Sequence, residues 1–157
     1  MTVRFRLDTH LDCPPDRAAA LSLDVGVHER SLADTGERAV GGVTSGTITL
    51  GQTVTFRARH LGIVWRLTSR ITVLDAPHRF VDEQVRGPFA RFRHEHRFAA
   101  AGAGTRMVDV VEFAAPLGPL GRIAEMLVLD RYLRHIIARR NTVLVAEAGG
   151  SEHAPAG

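Results

Sequence analysis

A period of two constrains this chain more than any other feature. It runs from Thr47 to Ala114 almost without a break. Successive side chains of a strand point to opposite faces, so alternation on this scale specifies a run of strands, each with one face toward a core. In "TVTFRARHL", Val54, Phe56, Ala58 and His60 share a face, opposite Thr53, Thr55, Arg57 and Arg59. In "IVWRLTSRITV", Ile63, Trp65, Leu67, Ser69, Ile71 and Val73 share one, opposite Val64, Arg66, Thr68, Arg70 and Thr72. "FVDEQVRG", "FARFRHEHRFA" and "TRMVDVVEFA" continue the pattern, the last two joined by the small residues of "AAGAG". Gly62, "DAPHR" and Gly87-Pro88 punctuate the run. The expected product is an antiparallel meander with one polar face and one mostly apolar face.

The flanks differ. "VRFRLDTHL" is a further strand, with Val3, Phe5, Leu7, Thr9 and Leu11 on its apolar side. "DCPPDRAAALSL" predicts a short helix, with Asp12 as cap and the prolines in the first turn. "VGVHERSLADTG" adds a second helical piece ending near Gly36, and "AVGGVTSG" reads as a loop or an irregular edge strand. After the Pro/Gly hinge "PLGPLG", residues 120–148 read as one helix of about seven turns. Met126, Leu129, Leu133, Ile136 or Ile137, Arg140 and Leu144 recur at helical spacing. The first half of this helix is apolar nearly all round, which predicts burial on several sides.

Composition narrows the class. At 157 residues the chain suits one domain with a sizeable core, and its 45% hydrophobic and 24% charged residues are ordinary for a globular protein. No run approaches the ~20 apolar residues of a membrane span, and the N-terminus lacks a signal-peptide core. A single cysteine, Cys13, excludes an internal disulfide and a Cys-rich zinc site. A cytoplasmic protein without integral membrane association is expected. All 20 basic residues are arginine, yet the net charge is only +3 and the arginines are dispersed. No basic arm for nucleic acid is present. The expected organisation is one ligand-binding domain over 1–148 and a disordered tail over 149–157.

Strand, two short helices, strands and one long helix make an α+β chain. A curled sheet with a single helix across its concave face leaves a space between them, and that space is the natural ligand site.

"RFVDEQVRGPFARFRHEHRF", "GTRMVDVVEFAAPLGPLGRIAE" and the terminal amphipathic helix resemble the SRPBCC superfamily, which contains the START and Bet v 1-like proteins. The likeness is to its bacterial polyketide cyclase/dehydrase-like branch and spans about Val3 to Leu144. It implies a helix-grip fold, in which a curved antiparallel sheet wraps a long C-terminal helix. It further implies an internal cavity for an apolar or aromatic small molecule. The superfamily mixes carriers, cyclases and resistance proteins, so the likeness does not settle an activity.

In "RFRHEHRF", Phe92, His94, His96 and Phe98 share one face, and Arg91, Arg93, Glu95 and Arg97 the other. The phenylalanines mark the inward face, so both histidines point into the cavity, while Glu95 joins the arginines in solvent. Met107, Asp109, Val111 and Phe113 form the inward face of the next strand. If "AAGAG" closes a hairpin, Asp109 lies opposite a residue near 94 or 96. An inward Asp-His pair can set a histidine tautomer, raise its basicity or hold a polar ligand group. Equally, it can be a buried polar pair that satisfies itself. A metal site is not expected: H-x-H with one facing carboxylate and no close fourth ligand is a weak signal. No cofactor is expected either.

The expected ligand-binding set is Phe56, His60, Trp65, Gln84, Phe92, His94, His96, Met107, Asp109, Leu133 and Ile137. The catalytic candidates are His94, His96 and Asp109. The facing of "FVDEQVR" stays open between Glu83 and the Asp82/Gln84 pair; the family likeness inclines toward Gln84. Arg140 lies on the helix stripe that faces the sheet and is placed to meet a carboxylate. Cys13, near a helix start, is either a thiol of lowered pKa or an inert buried one. Val108 and Val110 interrupt a polar face and hint at a contact surface; a homodimer stays open. The leading function is binding of a hydrophobic, aromatic or polyketide-like molecule. The alternatives are a polyketide aromatase/cyclase that moves a proton with His94 or His96, a natural-product resistance or sequestration protein, and an adaptor using the arginine face. The enzyme question stays open, and the scarcity of inward arginine and tyrosine favours binding.

Overall fold

The computed structural model describes residues 2–116 and 122–150, apart from the side chains at 122, 124 and 125. Most of the "PLGPLG" hinge and the tail from 151 onward lie outside the described residues. The order is β1 (Val3–Leu11), α1 (Pro15–Leu23), α2 (Val25–Ser31), a 3-10 turn (Ala33–Thr35), β2 (Arg38–Gly42), β3 (Thr53–His60), β4 (Ile63–Asp75), β5 (Arg79–Arg86), β6 (Arg91–Ala101), β7 (Gly104–Ala114) and α3 (Arg122–Gly149). The strands form one seven-stranded sheet in the order β1-β7-β6-β5-β4-β3-β2, every pair antiparallel. The sheet curves around α3, and α1 and α2 pack against that helix. This is the helix-grip arrangement.

Local chemistry accounts for most boundaries. Leu61 and Gly62 both take positive φ, 51° and 78°, which makes the two-residue β3–β4 turn that matches strand twist. Gly102 (φ 61°) turns β6 into β7. Gly36 (φ 68°) ends the 3-10 turn as a left-handed cap. Asp24 caps α2 by accepting from the Val27 N–H. Asp12 does not cap α1: its N-cap is Pro14, and no side chain satisfies that end.

The structure departs from the sequence reading at four further places. First, a bulge in β4 between Ile71 and Val73 flips the strand, so Val73 pairs with Val81 and Leu74 replaces Val73 on the core side. Second, the N-terminal part of α3 is not buried all round. Met126 is buried, whereas Ile123, Leu127 and Val128 are exposed, because a single helix offers the concave sheet only one stripe. Third, Val108 and Val110 are buried within the protomer rather than offered as a contact surface. Fourth, Glu95 is only 4% exposed. It lies on the outer face as expected, but beneath arginines: Arg97 Nε is 2.7 Å from one oxygen and Arg93 Nη2 2.8 Å from the other. Burial pushes its carboxyl up, and the Arg97 and Arg93 contacts bring it below the usual range. Long arginine stems can cover such a group while their heads stay wet.

A cavity between sheet and helix

Four inward positions converge where β5, β6 and β7 face α3. The β6–β7 register sets His96 across from Asp109 and His94 across from Val111. The β5–β6 register sets Asp82 across from His94 and Phe80 across from His96. The facing of β5 is thereby decided: Phe80 is in the core, and Asp82 points inward with it. The His94 and His96 rings lie 3.8 Å apart, and Phe80 stacks on His96 at 4.0 Å.

Asp109, fully buried, is the hub. His94 Nε2 lies 2.7 Å from its Oδ1, and Arg140 Nη1 donates to the same oxygen at 3.2 Å. Asn141 Nδ2 donates to Oδ2 at 2.7 Å and also reaches Thr9 Oγ1 at 3.1 Å. His96 Nε2 lies 2.9 Å from Asp82 Oδ2, and Arg140 Nη2 lies 3.4 Å from His96 Nδ1. Nε2 of His96 thus faces one carboxylate, and Nδ1 faces both Arg140 and Asp109 Oδ1, the latter at 3.2 Å. His94 spends Nε2 on Asp109, which leaves its Nδ1 lone pair toward Asp82, 4.0 Å away.

Burial sets the charges. It drives the His94 pKa down to about 4, and neighbouring His96 adds to this against the pull of Asp109. For Asp109, burial acts upward, but the Arg140 charge and the histidine hydrogen bonds outweigh it and leave the carboxyl well below its usual range. Asp82 is lowered in the same way, with the His96 hydrogen bond opposing burial.

The cluster closes one side of an internal cavity of about 180 Å³. Among the expected residues, Phe56, His60, Trp65, Phe92, His94, His96, Leu133 and Ile137 line it. Gln84, Met107 and Asp109 do not. Gln84 is spent on the β5–β6 loop, with its amide bonded to both the N–H and the carbonyl of Phe89. Gly87 leaves room for that amide, since a Cβ there would sit 2.5 Å from Gln84 Oε1. Met107 is fully buried in the core beside Ser22. Asp109 lies one layer behind the histidines.

The sequence reading left one group open and passed over two. Asp82 was left open with Gln84, since every inward position of β5 after Phe80 is polar. Asn141 follows Arg140 on α3 and carries no periodic signal. His28 and Glu37 form a second polar pair on the wall near β2, 2.6 Å apart, with the His28 ring 4.3 Å from that of Phe56. His60 and Tyr132 make a third polar contact between sheet and helix, His60 Nδ1 to the hydroxyl at 2.8 Å. Burial lowers the His60 pKa and raises that of Tyr132. Cys13 is buried, and burial pushes its thiol up, so it is no reactive thiolate.

Comparison with known proteins agrees with this architecture. The family model described as polyketide cyclase / dehydrase and lipid transport matches residues 2–149. Among solved structures, the Zhui aromatase/cyclase from Streptomyces sp. R1128 is 17% identical, with a TM-score of 0.78 and 98% of each chain covered. TTHA0849 from Thermus thermophilus is 17% identical, with a TM-score of 0.73, 94% of this chain and 100% of that one. Protein Ms6760 from Mycobacterium smegmatis is 18% identical, with a TM-score of 0.72, 96% of this chain and 93% of that one. At such identities the likeness shows the fold alone. No curated protein matches the sequence. Among the described residues, no helix is long and apolar enough to cross a membrane.

Proposed function

We propose, for a chain that belongs to the polyketide cyclase/dehydrase and lipid transport family, that it binds a small aromatic or polyketide-like molecule carrying a polar oxygen at one end. One observation carries this reading: a cavity of about 180 Å³ with a largely apolar wall, on which Asp82, His94, His96 and Arg140 converge. Empty apolar cavities of roughly 150 Å³ accept a benzene ring, so this one suits a ring with substituents. Trp65, Phe89 and Phe92 supply aromatic wall, with ring centroids 5.7 Å and 5.2 Å apart in succession. The polar cluster supplies both donors and acceptors for an oxygen, which an apolar wall cannot.

Trp65, the single tryptophan and part of the wall, reports occupancy by fluorescence. 1-Naphthol is expected to quench it saturably and more tightly than naphthalene. His96→Ala should narrow that difference while leaving naphthalene binding intact. Equal affinity for the two probes, or no binding of either, rejects the reading.

A second reading, an aromatase/cyclase, rests on the His94 Nδ1 lone pair beside the cavity, with Asp109 holding the other nitrogen. There, His94 would take a proton during aldol condensation or dehydration and Arg140 would face the developing oxyanion. A base whose conjugate acid titrates at about 4 is weak at neutral pH, which keeps binding first. The test is turnover of a linear poly-β-ketone thioester. It should vanish in His94→Ala while 1-naphthol still binds; unchanged turnover ends this reading. Sequestration of a natural product would use the same cavity without turnover.

A further inference from the structure

We propose that Asp82, His94 and His96 form a binding site for a first-row divalent metal ion such as zinc, with its open side toward the cavity. The site goes beyond small-molecule binding and does not depend on it.

Three features carry the inference. The first is convergence. One atom from each residue, taken from the carboxylate and the two rings, lies within 4.8 Å of the others. The Asp82–His96 edge is 2.9 Å and the Asp82–His94 edge 4.0 Å. Bonds of about 2.0–2.2 Å place the ligand atoms of a tetrahedral shell roughly 3.3–3.6 Å apart, so small side-chain rotations suffice.

The second feature is support from behind. His94 would ligate through Nδ1 while its Nε2–H donates to Asp109. His96 would ligate through Nε2 with its proton on Nδ1, which lies 3.2 Å from the same Asp109 oxygen. A single carboxylate then orients both imidazoles, the outer arrangement that metal-bound histidines regularly use. Asp109 is itself held by Arg140 and Asn141.

The third feature is charge. Two carboxylates, Asp82 and Asp109, face one guanidinium, that of Arg140. Arg140 opposes a cation, but its guanidinium is held by Asp109 Oδ1 at 3.2 Å and faces the Nδ1 edge of His96, not the Nε2 edge that would ligate. Two nitrogen ligands and one oxygen favour zinc or cobalt over magnesium or calcium, which prefer oxygen shells. The remaining coordination positions open on the cavity, where water or a ligand oxygen can occupy them.

The test uses the full-length protein, freed of metal with a chelator and titrated with Zn²⁺ and Co²⁺. Calorimetry is expected to show one ion per chain, and Co²⁺ to give visible absorption bands of a nitrogen-ligated site. Asp82→Asn and His94→Gln should each weaken binding by roughly 100-fold. His28→Gln, beside Glu37, and His10→Gln, 3.2 Å from Asp12, should leave it unchanged. Paramagnetic Co²⁺ should broaden the ring resonances of His94 and His96 in the wild-type protein, a readout independent of how the variants fold. Absence of saturable binding, binding that survives both cluster variants, or broadening confined to His28 or His10 overturns the site. 1-Naphthol binding by the metal-free protein is measured separately, so failure of the metal site and failure of the ligand reading are distinguishable.

Discussion

His94 meets Asp109 on the diagonal: its Nε2 lies 2.7 Å from Asp109 Oδ1, although the residue across the strand from His94 is Val111. His96 is the true cross-strand partner of Asp109, and its Nδ1 lies 3.2 Å from the same oxygen. One carboxylate therefore serves two histidines, with Arg140 sharing the oxygen from the helix side. Asp109 ties sheet to helix one layer behind the cavity wall.

Removing that hub should be severe. Asp109→Ala leaves the Arg140 guanidinium, itself 5% exposed, without its carboxylate. Breaking a buried pair from one side costs about 3–5 kcal/mol. Urea unfolding should show a loss of that order, and the double variant Asp109→Ala/Arg140→Met should lose less than Asp109→Ala alone. Additive losses would mean that the two residues are not coupled.

Glu95 should behave differently despite similar burial. Its partners Arg97 and Arg79 are half exposed and can turn to water once released, and the less exposed Arg93 keeps a second carboxylate, Glu83, at 4.0 Å. Glu95→Gln is expected to cost about 1 kcal/mol, as for a surface ion pair, and a loss comparable to that of Asp109→Ala would contradict this.

Filling the cavity should remove the ligand and spare the fold. Ala58 is buried and lines the space. In Ala58→Phe, a ring occupies volume the native protein leaves empty, so the melting temperature should change by no more than about 3 °C. The thermal shift given by 1-naphthol should disappear. A retained shift would place the ligand elsewhere.

The burial of His60 should make stability fall on mild acidification. Burial lowers the folded-state pKa of His60 below its ordinary 6.5, so within that window the unfolded chain binds a proton that the folded chain does not. Stability then falls as pH drops from 6.5 toward the folded value and levels off below it. His60→Gln removes this contribution. The stability difference, wild type minus variant, should shrink between pH 7.5 and pH 5; a constant difference would show that His60 does not titrate in this range.

Much of the site was legible because alternation is a local property. The phenylalanines of "RFRHEHRF" mark the inward face, and the histidines follow them inside. Helical spacing likewise put Arg140 on the stripe that meets the sheet. Asp82 was not legible, because "DEQ" is polar on both faces of β5; its facing follows from Phe80 entering the core across from His96. The β4 bulge that moves Val73 outward leaves no mark in "RITVLD". The burial of Glu95 depends on arginines from β5 and β6 closing over it, and proximity in sequence predicts only some of those contacts.

The sequence by itself determined the inward face of most strands, the order of the elements, and hence a curved sheet gripping one helix. Hydrophobic periodicity encodes these, because each strand or helix must bury its own apolar side. Only the tertiary structure decided which polar groups meet. Twist and curvature make diagonal neighbours as close as direct ones, and the approach of α3 brings Arg140 and Asn141 onto Asp109. Those distances belong to the assembled sheet and helix, and no single segment carries them.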